Sequence, residues 1–386
     1  MKRKIFTGLL AALILAATIF FGFGPGYFDK SMNKVTRAPT VGLFPDYDSL
    51  PFVADLHCDM LLWDRNFFDE HEYGHVDLPR MQSANVAFQA FTIVSKTPRG
   101  INIESNSAET DQIALLSFVQ LRPPSSWFNI KARALHQIGQ LHDFAAESKG
   151  QFRVVKSKSD LEKFVSDRKT NARISAGMIG LEGAHCLEND LNNLNEFYEQ
   201  GVRFIGLAHF FDNEWAGSAH GLTKGGLTVA GKQLIKKMDS LHIMIDLAHS
   251  SQQTIDDVFK LTNGPLMVSH TGVRGMCNNQ RNLSDEQILE IGKRNGLIGI
   301  GLWETAVCGT DALATARSMK YVADLIGVDK VCLGSDFDGA ITAHFDVRGL
   351  PLIMEELKRL NFSKTEIEGM MGGNVRDFML NNLPAN

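Results

Sequence analysis

From Pro51 onward the chain repeats one pattern: a short, almost continuous apolar run, then a longer amphipathic stretch. The runs are FVADL (52–56), VAFQAFTIV (86–94), AGMIGL (176–181), RFIGLA (203–208), IMIDLA (243–248), PLMVS (265–269), LIGIGL (297–302) and KVCLGS (330–335). Parallel strands buried on both faces carry such runs, because neither face meets water. Between them, TVAGKQLIKKMDSL (228–241) sets Val229, Leu234, Ile235, Met238 and Leu241 on one helical stripe. SDEQILEIGKRNG (284–296) opens with a serine N-cap and an acidic first turn, and closes on basic residues and glycine. Eight strands alternating with helices predict an α/β fold, a (β/α)8 TIM-type barrel. The rival, an open doubly wound sheet, carries a glycine-rich first turn, and none follows the first run. Residues from about 104 to 168 read as a long helical insertion between the second and third strands.

The first 28 residues stand outside this pattern. MKRK is followed by an uncharged stretch from Ile5 to Phe28, long enough as a helix to span a bilayer core of ~30 Å. Gly22-Phe23-Gly24, followed directly by Pro25, is a poor cleavage site, so residues 1–28 predict an uncleaved transmembrane anchor; cleavage would make the protein secreted. Lys2, Arg3 and Lys4 put the N-terminus in the cytoplasm and the body on the periplasmic or extracytoplasmic side, an asymmetry that Lys30, Lys34 and Arg37 blunt. Residues 29–48 read as a polar tether and 49–386 as the barrel domain. Since the apolar stretch adds nothing to the strand count, residues 1–30 are expected to be dispensable for folding. The 386 residues are 44% hydrophobic and 22% charged, with a net charge of -5 and no basic-aromatic interleaving, which argues against a nucleic-acid partner. The five cysteines (58, 186, 277, 308, 332) are odd in number and lack a Cys-x-x-Cys pair. They read as small buried side chains, with no disulfide framework.

The ends of the runs carry the chemistry. His57 and Asp59 follow the first, Glu182 ends the third, His209 the fourth, His249 the fifth, His270 the sixth and Asp336 the eighth. Any one of these alone reads as a hydrogen-bonded strand end or turn former. All of them on strand ends of one polarity point to the face where barrel active sites sit. Neutral imidazole and carboxylate are zinc ligands, and a carboxylate such as Glu182 can bridge two cations some 3.5–4 Å apart. That chemistry is a binuclear metal-dependent hydrolase whose trapped water ionises near neutral pH. Other residues of ligand type read differently: His71 and His75 as solvated loop residues, His136 and His142 as helix-surface residues. His185 reads equally as support for Glu182 or as packing, and Cys58 as packing directed away from its neighbours.

The segments DLHCDML, HVDLPRM, GLEGAH, GLTVAGKQLIKKM, IDLAHSS, SHTGVR, QRNLSDEQ and GSDFDG together resemble the membrane dipeptidase family, the renal dipeptidase-like metallopeptidases of peptidase family M19. The resemblance runs from Asp55 to about Phe378. It implies a (β/α)8 barrel holding two Zn2+ ions that cleaves dipeptides with a metal-bridging hydroxide. By the same resemblance His57 and Asp59 bind one zinc, Glu182 bridges, and His249 and His270 complete the second. His209 matches a histidine that contacts the substrate and steadies the tetrahedral intermediate. Arg281 matches an arginine that receives the substrate's C-terminal carboxylate, with Arg274 as the competing candidate, and Asp336 matches a proton-shuttling aspartate. The chain departs from the family at Cys58, often Asn in relatives, and at His242, where glycine is common. LIGIGLWETAV lacks the tyrosine-bearing segment of the mammalian enzymes. DFMLNNLPAN carries no lipid-anchor signal, so membrane attachment is expected through the N-terminal helix. Two other readings stay open: a binuclear hydrolase of lactones, phosphoesters or cyclic amides, and a non-catalytic membrane-tethered binding protein. A homodimer is compatible with all of them.

Overall fold

Each of the eight apolar runs forms a strand: β1 (Val53–Asp55), β2 (Val86–Ile93), β3 (Ser175–Leu181), β4 (Val202–Gly206), β5 (Met244–Asp246), β6 (Leu266–Thr271), β7 (Leu297–Ile300) and β8 (Val331–Leu333). The computed structural model describes residues 2–37 and 52–386. Every pairing in this sheet is parallel, neighbours follow chain order, and Leu333 of β8 opposite Asp55 of β1 closes the ring. This is the closed barrel expected from the run count.

Alternation along the strands divides the core in two. Ala176, Met178, Phe204, Met244, Met267 and Cys332 pack in one cluster with Val375 and Phe378 from the C-terminal helical segment. Their neighbours Ile179, Leu181, Ile205, Ile245, Val268, Val331 and Leu333 pack with helix residues such as Leu234, Ile288 and Met319. The first set fills the inside of the barrel and the second forms the strand–helix layer, so both faces of each strand are dry. Helix Val229–Ser240 is capped by Thr228, whose side chain accepts from Gly231 N, but Val229 is 78% exposed and lies off the expected stripe. Helix Asp285–Lys293 has the full capping box between Ser284 and Gln287.

The insertion between β2 and β3 is less helical than its sequence suggests. After the helix Ile130–Glu147 a short strand, Phe152–Val154, adds to the edge of β3 before the helix Lys158–Arg168. Three residues give too short a period to read against flanking helices.

The N-terminal helix α1 runs Lys2–Met32, past the expected boundary at Phe28, and is long and apolar enough to cross a membrane. Its last turns lie against the barrel domain. The Phe21 ring packs edge-on to Phe118 at 5.4 Å. Buried Asp29 Oδ2 forms an ion pair with Arg65 Nε at 2.8 Å, and Arg65 Nη2 lies 2.6 Å from Asp338 Oδ2. Lys34–Val35 then pairs with Thr342–Ala343 in the loop beyond β8. Residues 29–37, expected to be a loose tether, are therefore built into the domain, and residues 38–48 of that expectation lie outside the described residues. Removing residues 1–30 would strip Arg65 of one of its two carboxylates. Apolarity marked the helix, but nothing in the sequence marks Asp29 as the partner of an arginine 36 positions on.

Candidate active site

The C-terminal strand ends bring all seven expected residues to one place. Glu182 Oε1 lies 3.3 Å from His57 Nε2, 3.2 Å from His249 Nε2 and 3.5 Å from His270 Nε2; Glu182 Oε2 lies 3.4 Å from His209 Nε2. His57 Nε2 is also 3.5 Å from Asp59 Oδ1 and 3.8 Å from Asp336 Oδ1, while His249 Nε2 and His270 Nε2 face each other at 2.9 Å. The seven form three overlapping sets that could each hold an ion: His57, Glu182, His270; Glu182, His209, His249; and His57, Asp59, Asp336.

Neighbouring groups hold these side chains in place. Ser269 Oγ sits 3.1 Å from His57 Nδ1 and 2.9 Å from His270 Nδ1, which turns both Nε2 atoms toward Glu182. Thr92 Oγ1 donates to Asp59 Oδ1. Asp246 accepts from the amides of Ala248 and Ser269 and braces the ends of β5 and β6. His249 and Asp336 lie at φ 59° and 62°, the left-handed region that non-glycine residues occupy only when surroundings enforce it. Ser269, Thr92 and Asp246 were not anticipated; their signal was adjacency to ligand-type residues or to facing strand positions.

The electrostatics of the cluster call for a cation. Burial pushes His209, His249 and His270 well below the usual imidazole range, so each is neutral with a lone pair to offer. Burial would lower His57 too, but the Glu182 and Asp59 carboxylates outweigh it and raise it well above that range. Glu182 is pushed up to about 7 by burial and by Asp59, and Asp336 well above the carboxylate range by burial, with Asp59 and Glu182 adding. His57 Nε2 and Glu182 Oε2 are buried without a hydrogen-bond partner. Carboxylates crowded together out of water and imidazole nitrogens turned toward one another are costly without a positive ion between them. The nitrogen and oxygen donor set is one that zinc accepts.

A cavity of about 740 Å³ opens over the cluster. Arg281 lines it with its guanidinium buried; Nη2 donates to His270 O at 2.8 Å, and Nε has no partner. Among the described residues no carboxylate lies within ion-pair distance of Arg281, and burial lowers it to about 10. Arg274 instead donates to Asn282 O outside the cavity. Trp303 after β7 forms part of the cavity wall. His220, which sequence reading passed over, also lines the cavity; its Nδ1 donates to Ile103 O at 2.8 Å and leaves Nε2 unpartnered. Its only signal was a histidine next to glycine in a loop.

Several expectations need correction. Cys277 and Cys308 form a disulfide, joining the loop after β6 to the loop after β7; they are 31 positions apart, but adjacent barrel loops bring them together. Cys58, Cys186 and Cys332 are buried and free, as expected. His75 is fully buried, not solvated: its amide donates to Asp338 Oδ1 at 2.7 Å and its Nδ1 accepts from Asp338 N at 2.9 Å. The polar sequence around it hid that partner. His71, His136 and His142 are partly exposed. His185 is buried 3.0 Å from Ser95 Oγ and belongs to none of the three ligand sets.

Comparisons with known proteins bear on the family and the fold. The family model described as membrane dipeptidase (peptidase family M19) matches residues 49–379. The chain is 27% identical over 344 residues to Dipeptidase aclJ of Aspergillus oryzae, covering 84% of this chain and 76% of that protein. It is 31% identical over 258 residues to human Dipeptidase 3, covering 63% of this chain but only 50% of that protein. In fold it is similar to the dipeptidase AC, a metallo peptidase, with a TM-score of 0.71 and 24% identity over 88% of this chain and 100% of that one. A metallo peptidase from Rhodobacter sphaeroides, liganded with a phosphinate mimic of the dipeptide L-Ala-D-Ala, gives a TM-score of 0.70 and 24% identity over 87% and 100%. With the barrel closed and the family model spanning nearly all of it, the chain belongs to the membrane dipeptidase family and is a hydrolase of the metallopeptidase kind.

Proposed function

We propose that the protein is a zinc-dependent dipeptidase held at the membrane by α1. His57 and Asp59 would hold one ion and His249 and His270 the other, with the Glu182 carboxylate within reach of both sets. The observation that carries this reading is the Glu182 carboxylate, whose Oε1 lies 3.2–3.5 Å from three imidazole Nε2 atoms. Bound zinc would supply a water that ionises near neutral pH and a polarised substrate carbonyl. The protein supplies the rest. Arg281, a buried cation without a carboxylate partner, receives the C-terminal carboxylate of the dipeptide, which restricts cleavage to a peptide bond one residue from the chain end. His209 Nε2 faces the reacting carbonyl oxygen. Asp336, raised well above the carboxylate range by burial and its carboxylate neighbours, takes the proton of the attacking water and passes it to the leaving amine. Neutral lactones would leave Arg281 unpaired, which favours dipeptides over that alternative.

The Cys277–Cys308 disulfide supports a body on the extracytoplasmic side, since such bonds persist in oxidising compartments. Metal analysis of the full-length protein in detergent, with hydrolysis of L,L-, L,D- and D,D-dipeptides, tests the activity. Two zinc ions per chain and turnover of at least one dipeptide are expected, and Glu182→Gln should lose both. A metal-loaded protein that cleaves a lactone or phosphoester and no dipeptide would sink the reading.

A further inference from the structure

Residues 112–128, QIALLSFVQLRPPSSWF, carry a single charged side chain, Arg122, and it is buried, donating to Leu61 O and Leu62 O. The helix α2 (Gln112–Val119) is apolar around most of its circumference: Ile113, Leu115, Leu116 and Val119 line the catalytic cavity, Leu115 is also 51% exposed, and Phe118 is 40% exposed. Leu121 and Phe128 beyond it are 61% and 88% exposed. Phe118 stacks edge-on with Trp127 at 5.0 Å and with Phe21 of α1 at 5.4 Å, so this patch continues directly into the N-terminal helix. A helix this apolar is normally buried in protein or in lipid, and among the described residues the outer side of α2 is left partly exposed.

The length of α1 says what covers it. From Phe21 onward α1 lies against the domain, whereas Ile5 to Phe20 is exposed along its whole length. Those sixteen residues make about 24 Å of helix at ~1.5 Å per residue. A bilayer core is ~30 Å thick, so the free part cannot cross it alone. The docked turns from Phe21 must enter the lipid as well, and α2 is packed beside them. We infer that the face bearing Leu115, Phe118, Leu121 and Phe128 sits in the bilayer interface, and that the catalytic cavity opens at the membrane surface. Trp127 and Tyr27 flank this face with the amphipathic rings that membrane interfaces favour. Phe28 and Met32 of α1 line the cavity together with Leu115, Leu116 and Val119, so the entrance and the lipid-facing patch share two helices.

The inference rests on α1 being a membrane anchor, and its test separates the two. Because Cys58, Cys186 and Cys332 are fully buried and Cys277 is bonded to Cys308, an introduced cysteine is the one reactive thiol at the surface. Full-length Phe128→Cys, Leu13→Cys and Glu147→Cys proteins would each carry an environment-sensitive dye. They would be reconstituted into phosphatidylcholine–phosphatidylglycerol vesicles with or without nitroxide-bearing lipid. Glu147 ends the helix Ile130–Glu147 at the opposite end of the barrel. Nitroxide lipid should quench the dye at 13 and 128 to a comparable extent and leave 147 unchanged. Quenching at 13 with none at 128 overturns the inference and leaves the anchor standing. No quenching at either position overturns both. Shielding of 128 that grows with protein density and ignores nitroxide lipid would assign the patch to a second copy of the chain, which also overturns it.

Discussion

Asp336 and Asp338 stand two positions apart in GSDFDG, and their surroundings pull them in opposite directions. Asp336 is raised by burial and by the carboxylates near it, whereas for Asp338 the Arg65 guanidinium and His75 outweigh burial and hold it well below the usual range. On the proposed reading Asp336→Asn cuts turnover by about 10²–10⁴-fold, the worth of general acid–base catalysis. Metal content should change little, because asparagine tolerates the left-handed backbone at this position and the other ligands remain. Elemental analysis beside kcat checks both; loss of the metal would make Asp336 a ligand first. Asp338→Asn should instead lower stability by about 3–5 kcal/mol, as removal of one partner from a buried ion pair does, with denaturant midpoints as the measure. Arg281→Ala should weaken kcat/KM for dipeptides by about 2–5 kcal/mol while sparing dipeptide amides, which lack the carboxylate it would bind. Equal losses on both substrates would remove Arg281 from carboxylate recognition. The sequence made the strand-end residues legible because the barrel rule turns position along a strand into position in space. His75 was misread because its partner, Asp338, comes from a loop that no periodicity places.

At the scale of elements, all eight barrel strands could be read from runs of apolar residues. The edge strand Phe152–Val154 and the two-residue pairing of Lys34–Val35 with Thr342–Ala343 could not, since neither is long enough to show a period. His242, just before β5, lies at φ 54°, which explains why glycine suits that position. The disulfide is the element-scale feature most open to test. It ties the loop holding Arg281 to the loop holding Trp303 and Thr305, and all three residues line the cavity. Replacing both cysteines, Cys277→Ser with Cys308→Ser, should lower stability by about 2–4 kcal/mol in denaturant titrations, and reduction of the unaltered protein should match it. A larger rise in KM than fall in kcat is expected, because the loosened loop carries the carboxylate-binding arginine. If the double variant matches the parent in stability and KM, the cross-link has no part in shaping the site.

Across the whole molecule, the N-terminal helix has two surroundings: its first half is exposed, and its second half packs on the catalytic domain and lines its cavity. Deleting residues 2–20 should leave unfolding in detergent unchanged. Deleting residues 2–32 removes Asp29 from its buried ion pair with Arg65 and should cost about 3–5 kcal/mol, as loss of one partner of such a pair does. Equal stability of the two truncations would contradict the structural role given to the last turns. The join beyond that helix also has a history in time. Thr36 Oγ1 donates to His344 O across 308 positions of sequence, and Lys34 and Val35 pair with residues made equally late. Ribosomes add roughly 5–20 residues per second, so about 15–60 s separate the synthesis of the two sides. The helix is therefore in place long before the strand that fastens it exists, and Asp29 waits that long for the final contacts around Arg65 and Asp338. A chain stalled just short of Thr342 would hold all eight barrel strands and still lack the seam that fastens the N-terminal segment to them.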